Sequence, residues 1–333
     1  MITPAYAPTA TERVLPRLAL DFTTAIADPR VTTSRADNTA TRFNASGLIE
    51  IVNANLPRFD FSPTAPVCRG QLIEEARTNL FLNSLIDGTN LATQSVTLSA
   101  VTYTLSFYGS GSVAISGGHS ATVNGVGDFP NRKTYTFTPT AGSSTFTISG
   151  DVKFAQLEAG AFATSFIPTT TTSVTRNADV VTMTGANLTS WLDATQGTLL
   201  SEHMVPQFNP ANTIIACSLG SAAAVEIYAA IQTTGANQFA VFNTTSQANF
   251  AGFGVGALNV PQKVCGFYKA NSFAASANGV AGGTDTSGTI PTINKLVFGA
   301  RNDGARVLNG WVRKFSYWPF TLTTAEVTAF SKQ

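Results

Sequence analysis

Between residues 88 and 158, apolar and polar side chains alternate with a period of two. In "TYTLSFYGSGSVAISG" the residues Tyr103, Leu105 and Phe107 fall on one side. In "KTYTFTPTAGSSTFTISG" Tyr135 and Phe137 do so, then Phe146 and Ile148, and "VKFAQLEAG" continues the pattern. Such a period sends successive side chains to opposite faces of a strand, and the intervening Gly-Ser, Gly-Gly and Asn-Gly pairs are turn chemistry. The spacing predicts a small antiparallel β-sandwich of the kind found in carbohydrate-binding modules. Residues 180–333 repeat this at larger scale. Runs such as "VVTMTG", "GTLLSEHMV", "NTIIACSLG", "AVEIYAAIQ", "QFAVFNT", "QKVCGFYKA", "SFAASANGV", "INKLVFGAR" and "NGWVRKFSYWPF" are divided by Gly, Asn and Pro, which demands two packed sheets. In "NGWVRKFSYW" the apolar residues Val312, Phe315 and Tyr317 stand three and then two apart, so a β-bulge is predicted at Arg313-Lys314. The "ANG" at 277–279 predicts a tight hairpin turn. Thr323 followed by Glu326 is a capping box, predicting a short helix from Thr324 to Ser331 that docks Val327 and Phe330.

The first 80 residues are less regular. Three prolines and no periodicity over residues 1–20 predict an extended arm, ordered only against a partner or a neighbouring domain. Short β-type runs follow to Phe61, with Ala45-Ser46-Gly47 as a turn. In "QLIEEARTNLFLNS" the residues Leu72, Ile73, Ala76 and Leu80 recur near helical spacing, predicting a short helical or irregular piece. A polar strip, "QLEAGAFATSFIPTTTTSVTRNADVV", covers residues 156–181. Its run of four threonines buries too little apolar surface to order itself, whereas Phe162, Phe166 and Ile167 favour an extended strap laid on folded chain. The expected fold is all-β: an N-terminal attachment arm and hairpin region (1–80), a small β-sandwich (81–165), an ordered linker (166–179) and a larger jelly-roll sandwich (180–333).

Composition narrows the function. Charged residues make up 12% of the 333 and net charge is +1; without a lysine or arginine run, nucleic acid is excluded as an expected partner. Cys68, Cys217 and Cys265 are too few and scattered for a disulfide framework and are expected reduced and buried. No run approaches the ~18 apolar residues of a membrane span, and "MITPAYAPTATER" lacks the features of a signal peptide, so synthesis in a cytoplasm without membrane insertion is expected.

Few residues suggest chemistry. Glu202 and His203 are neighbours on a strand and must point to opposite faces, so they are no dyad. His119 and His203 fall in different predicted domains, which disfavours a zinc site. No catalytic residue, metal or cofactor is expected. Among weak binding candidates, Asn302 and Asp303 in "ARNDGAR" could orient a sugar hydroxyl or join a calcium site, against the plainer reading of a β-turn. Trp318, before Pro319 at a strand end, is the tryptophan expected to be exposed; Trp191 and Trp311 are expected in packing roles. Arg58, Arg77 and Arg176 are expected to tie domains or subunits together through carboxylates such as Asp60, Glu75 and Asp179, and Phe162, Phe166 and Ile167 to serve the same contacts.

Three strings, "PRFDFSPTAPVCRGQLIEEARTNL", "QLEAGAFATSFIPTTTTSVTRNADVVTMTG" and "INKLVFGARNDGARVLNGWVRKFSYWPFTLTTAEVTAF", resemble a family of bacteriophage and prophage virion proteins of the head-spike or tail-fibre type. That family ends in a domain similar to concanavalin-A-like lectins, glucanases and laminin-G modules. The resemblance implies a structural protein on the virion, made in the host cytoplasm and exposed on the particle. It implies a homo-oligomer of trimeric type, joined to other virion proteins through its N-terminus, with host polysaccharide as a further partner. The alternative is a receptor-binding lectin. The Glu-x-Asp-x-x-Glu string with which concanavalin-A-like glucanases flank a glycosidic bond is absent from the sequence, which counts against an enzyme.

Overall fold

The computed structural model describes residues 15–84 and 91–333. The chain forms two compact units, Thr33–Val180 and Met1–Thr32 with Val181–Gln333. Both are built from antiparallel strands, as the all-β expectation required. Among the described residues no helix is long and apolar enough to cross a membrane. Most of the expected arm, residues 1–14, lies outside the described residues.

In the first unit, a sheet ordered Ala121–Asn124, Ser112–Gly117, Gly142–Ser149 and Gln94–Leu98 accompanies one ordered Gly127–Phe137, Tyr103–Gly109 and Lys153–Ala159. The alternating residues meet in one core of Tyr103, Leu105, Phe107, Phe137 and Phe146, with Tyr135 and Ile148 half-buried against it. The Ala40–Phe43 and Ile49–Val52 strands form the hairpin expected around Gly47, which takes φ +75°.

Two expectations for this unit need correction. The piece over residues 71–84, expected to be helical or irregular, holds no helix: Ala65–Ile73 is a strand paired with Phe59–Ser62, Arg77–Asn79 pairs with Val174–Arg176, and the rest is irregular. The near-helical spacing was a coincidence of buried positions, because Leu72 and Ile73 are both buried in the strand and tertiary pairing overrides local pattern. The strap, in turn, is no linker between domains. Phe166, Ile167 and Thr169 are buried, and their partners lie within Thr33–Val180. Phe166 packs edge-on against Phe154 at 5.3 Å, Asn79 donates to the Ile167 carbonyl at 2.9 Å, and Thr169 donates to the Phe81 carbonyl at 2.6 Å. Residues 33–80 and 160–180 thus belong with the small sandwich rather than forming separate pieces.

In the second unit, one sheet runs Val280–Asp285, Ser272–Ala277, Gln262–Lys269, Gln196–Met204 and Gly310–Trp318, and Leu18–Asp21 pairs with the last strand. The end of the expected arm is therefore a strand of this sandwich; Arg17 N–H donates to the Tyr317 carbonyl at 2.8 Å. The other sheet runs Val180–Thr184, Lys295–Phe298, Ile214–Ala222, Val225–Ile231, Asn237–Asn243 and Thr245–Phe253. Their inner faces interdigitate: Phe298 meets Phe315 edge-on at 5.4 Å. A Cβ on Gly266 would come within 2.6 Å of the Phe239 ring, so only glycine fits there. The bulge falls at Arg313, where the register against Gln196–Met204 shifts.

The capping box forms as expected. Thr323 Oγ1 accepts from Glu326 N–H at 3.2 Å, Glu326 accepts from Thr323 N–H at 2.8 Å, and the helix runs Thr324–Phe330. It packs on the outer face of the first-named sheet, in one apolar cluster of Cys265, Phe267, Trp318, Leu322 and Val327 with Phe330 beside it. That sheet is hereafter the capped sheet, and its partner the uncapped sheet.

Candidate functional site

The expected exposed tryptophan is buried. Trp318 is 2% exposed, its ring 5.1 Å from that of Phe330; the capped helix folds back over the strand end and covers it. Trp191 and Trp311 are buried too, Trp191 with its ring 4.8 Å from Tyr317. Cys68, Cys217 and Cys265 are free and buried, and burial pushes the Cys217 thiol up to about 12.

Strand alternation sets the chemistry of the second unit's faces. Leu199, Ser201 and His203 point inward and are fully buried, while Glu202 points outward and accepts from Arg313 Nε at 2.8 Å. Glu226 lies on the outer face of the opposite, uncapped sheet, next to Gly220 in register and apart from the inward Ile227. Glu202 and Glu226 therefore sit on opposite outer surfaces of one sandwich and cannot flank a common bond. Among the described residues no group of three or more His, Cys, Asp or Glu side chains gathers in a metal-ligating cluster.

The outer face of the uncapped sheet is where aromatic, amide and charged side chains come together. In register, Ser218 is opposite Tyr228, Tyr228 opposite Ala240, and Ala240 opposite Asn249. Glu226 is opposite Phe242 in the same way. Tyr228 and the half-buried Phe242 lie near-parallel, with centroids 5.9 Å apart and planes 10° apart. Ile215, Tyr228, Ala230 and Ala240 are buried together in one apolar cluster, and the half-buried Phe242 packs against it. Beside it Gln238 Nε2 donates to Asn249 Oδ1 at 2.7 Å, and Asn249 is exposed.

The loop 299–309 bounds this face, and it holds two of the sequence candidates. Asn302 is buried: its N–H donates to Glu226 Oε2 at 3.3 Å, its amide nitrogen donates to Ser218 Oγ, and its Oδ1 has no partner. Ser218 Oγ donates to Glu226 Oε2 at 2.5 Å, and Lys295 Nζ donates to the Asn302 carbonyl at 2.6 Å. Asp303 is exposed and takes a bidentate pair from Arg301 at 2.9 and 2.6 Å. That hydrogen bonding pulls the Asp303 carboxyl down to about 2. Its Oδ1 also accepts from Ala305 N–H at 3.0 Å, and Gly304 takes φ +84°, so the turn reading describes Asp303 while Asn302 is part of a buried polar knot. Burial pushes the Tyr228 hydroxyl up to about 12, with the Arg306 guanidinium pulling the other way.

The arginine candidates assemble elsewhere, inside Thr33–Val180. Arg35, Arg58 and Arg176 are all buried. Arg58 Nη1 donates to Glu74 at 2.7 Å and to Ser165 Oγ at 2.9 Å, while its Nη2 pairs with Asp179. Arg176 donates to Glu74 at 2.5 Å, and Arg35 donates to Asp179 at 2.9 Å. Glu74 also accepts from Ser165 N–H at 2.7 Å, which ties the strap to the strand region before it. Asp179 is a partner expected for these arginines, as is Glu75, which pairs with Arg77 at 2.6 Å; Asp60 instead pairs with Arg69. Arg77 also lies over the Phe162 ring, 4.8 Å from its centroid, at a spot where a Cβ on Gly160 would overlap its guanidinium. Glu74, unlike its neighbour Glu75, was not among the expected partners, since its burial follows from contacts with Ser165 and Arg176, 91 and 102 residues along the chain.

No family model matches the chain, and no curated protein matches it. Among solved structures it is similar to the CBM40 domain of a Ruminococcus gnavus IT-sialidase bound to α2,3-sialyllactose, at 14% identity over 44% of this chain and 88% of that one, with TM-score 0.38. It is similar to the NanB sialidase of Streptococcus pneumoniae at 15% identity and TM-score 0.38, over 44% of this chain and 26% of that one. The chain thus spans about a quarter of the length of that sialidase. A native heptameric SAP-like pentraxin from Limulus polyphemus aligns over 78% of this chain and 82% of its own, at 11% identity and TM-score 0.32.

Proposed function

We propose that this chain is a non-enzymatic structural protein displayed on a bacteriophage particle, a spike or fibre component, and that the outer face of its uncapped sheet contacts saccharide on the host surface. The virion assignment is supported by the sequence strings given above. The saccharide assignment is carried by one observation: the half-buried Phe242 ring, backed by the near-parallel Tyr228 and flanked by the Gln238–Asn249 amide pair. An aromatic face beside amides is what a pyranose needs, since its C–H face stacks on a ring while its hydroxyls exchange hydrogen bonds with amide groups. Binding fits this face better than catalysis, because Glu226 is buried and already accepts two hydrogen bonds, and Glu202 lies on the opposite outer surface.

The test is a glycan array probed with the full chain, the Phe242→Ala variant and the Trp318→Phe variant. Binding that Phe242→Ala abolishes and Trp318→Phe keeps is expected; binding indifferent to Phe242→Ala, or none to any glycan, refutes the saccharide assignment. Labelling of intact particles with an antibody to the chain tests display, and particles that carry no label refute it. The oligomer implied by the resemblance is checked by light scattering on purified protein, for which a trimer is expected.

A further inference from the structure

Every charged group around the loop 299–309 has a partner except one. Asp303 is held by Arg301, Glu226 by Ser218 and the Asn302 N–H, and Lys295 by the Asn302 carbonyl. Among the described residues, no side-chain hydrogen bond or ion pair engages the exposed guanidinium of Arg306. The loop and the two strand residues beside it hold three cations, Lys295, Arg301 and Arg306, against two anions, Asp303 and Glu226, an excess of +1.

The backbone of Arg306 is fixed although its side chain is exposed. Its carbonyl accepts from Ile215 N–H at 2.9 Å, and the preceding Ala305 carbonyl accepts from Arg301 N–H at 2.9 Å. Between these bonds Arg306 sits at φ +53°, a conformation that glycine or asparagine would adopt at lower cost. The bond from Ile215 places Arg306 against a member of the Tyr228–Ala240 cluster on which Phe242 packs, so the exposed cation stands at the border of that cluster. The buried, unpartnered Asn302 Oδ1 lies in the same loop.

Building on the saccharide reading above, we infer that this face selects an acidic saccharide, one whose sugar ring carries a carboxylate, with Arg306 as the anion contact and Phe242 as the stacking surface. A guanidinium matches a carboxylate through two parallel N–H donors, and this one needs to break no internal ion pair to do so. A neutral sugar gains only the stacking and the amide contacts.

The test uses the full chain and three probes: polygalacturonate, colominic acid, and the carboxyl-reduced form of whichever binds more tightly. Binding is measured by calorimetry at low and moderate salt. The expected result is that carboxyl reduction and Arg306→Gln each weaken binding about five- to tenfold, that the two losses together are no larger than either alone, and that added salt weakens only the parent with the acidic probe. Equal affinity for acidic and reduced probes, with Phe242→Ala still abolishing both, overturns the acidic selectivity and leaves the saccharide reading standing. Binding of no probe, alongside a silent glycan array, overturns both. A parent-like affinity in Arg306→Gln that is lost in Lys295→Gln overturns the choice of Arg306.

Discussion

Glu74→Gln removes one charge from the buried knot of Thr33–Val180 while keeping the side chain's shape. Burial by itself would raise the Glu74 carboxyl, but the Arg176 and Arg58 guanidiniums beside it and its hydrogen bonds from Ser165 bring it from 4.5 down to about 2. At 1.36 kcal/mol for each tenfold change in protonation, that displacement is worth about 3 kcal/mol. The figure agrees with the ~3–5 kcal/mol typical of removing one partner from a buried ion pair. A carboxyl lowered on folding stabilises the fold above its unfolded value and ceases to do so as pH falls through its folded value. The parent should therefore exceed Glu74→Gln by about 3 kcal/mol at pH 7, and the gap should close between pH 4.5 and pH 2. Trp191, Trp311 and Trp318 all lie in the other unit, so tryptophan fluorescence reports the wrong sandwich. Hydrogen exchange of peptides from residues 33–180, read by mass spectrometry across a urea series, measures the right one. A gap under about 1 kcal/mol at pH 7, or one that stays constant down to pH 2, refutes the reasoning.

The same physics applies to His203, which burial lowers to about 4. A histidine held neutral stabilises the fold fully above pH 6.5 and ceases to do so as pH falls toward 4, a loss of about 3 kcal/mol; in His203→Gln, thermal melts between pH 7 and pH 4 should show a shallower decline. Trp318→Ala should cost about 3–5 kcal/mol by opening a cavity beneath the helix Thr324–Phe330, and urea melts followed by the fluorescence of the remaining tryptophans should record it. Phe166→Ser strips the strap of its contact with Phe154, and limited proteolysis should then cut between residues 160 and 176 at least tenfold faster than in the parent; equal rates would show that hydrogen bonds alone hold the strap.

Where the sequence could be read, a local rule sufficed. The alternation at Tyr103, Leu105 and Phe107, the bulge at Arg313 and the Thr323–Glu326 box each depend on residues within a few positions, and each appears as expected. The strand Thr245–Phe253 went unseen because its inward residues, Ala248 and Phe250, are separated by polar or small outward ones such as Asn249 and Ala251, which leaves too little contrast for a period to show. The burial of Trp318 depends on a helix that returns from later in the chain, and the pairing of Arg58 with Glu74 and Asp179 on contacts that reach up to 121 residues along it. Neither leaves a local mark. Asn302 was legible as a residue with chemistry, but its place beside Ser218 and Glu226 follows from strand register, as does the meeting of Tyr228 with Phe242.

Charge is scarce in this chain, and the contrast between its two uses bears on function. In the knot of Arg35, Arg58, Arg176, Glu74 and Asp179, charges are taken fully out of water, where each must find a partner or cost several kcal/mol; their mutual hydrogen bonds pin a strap that has too little apolar surface to hold itself. At the loop 299–309 the surrounding groups are satisfied by the same logic, yet Arg306 is left facing solvent at the edge of an aromatic patch. An exposed cation there costs little when free, and its attraction strengthens only when a ligand displaces the water around it. On the uncapped sheet Ser218, Glu226, Tyr228, Ala230 and Ala240 are themselves buried, so the contact proposed above is confined to the half-buried Phe242, the exposed Asn249 and the exposed Arg306.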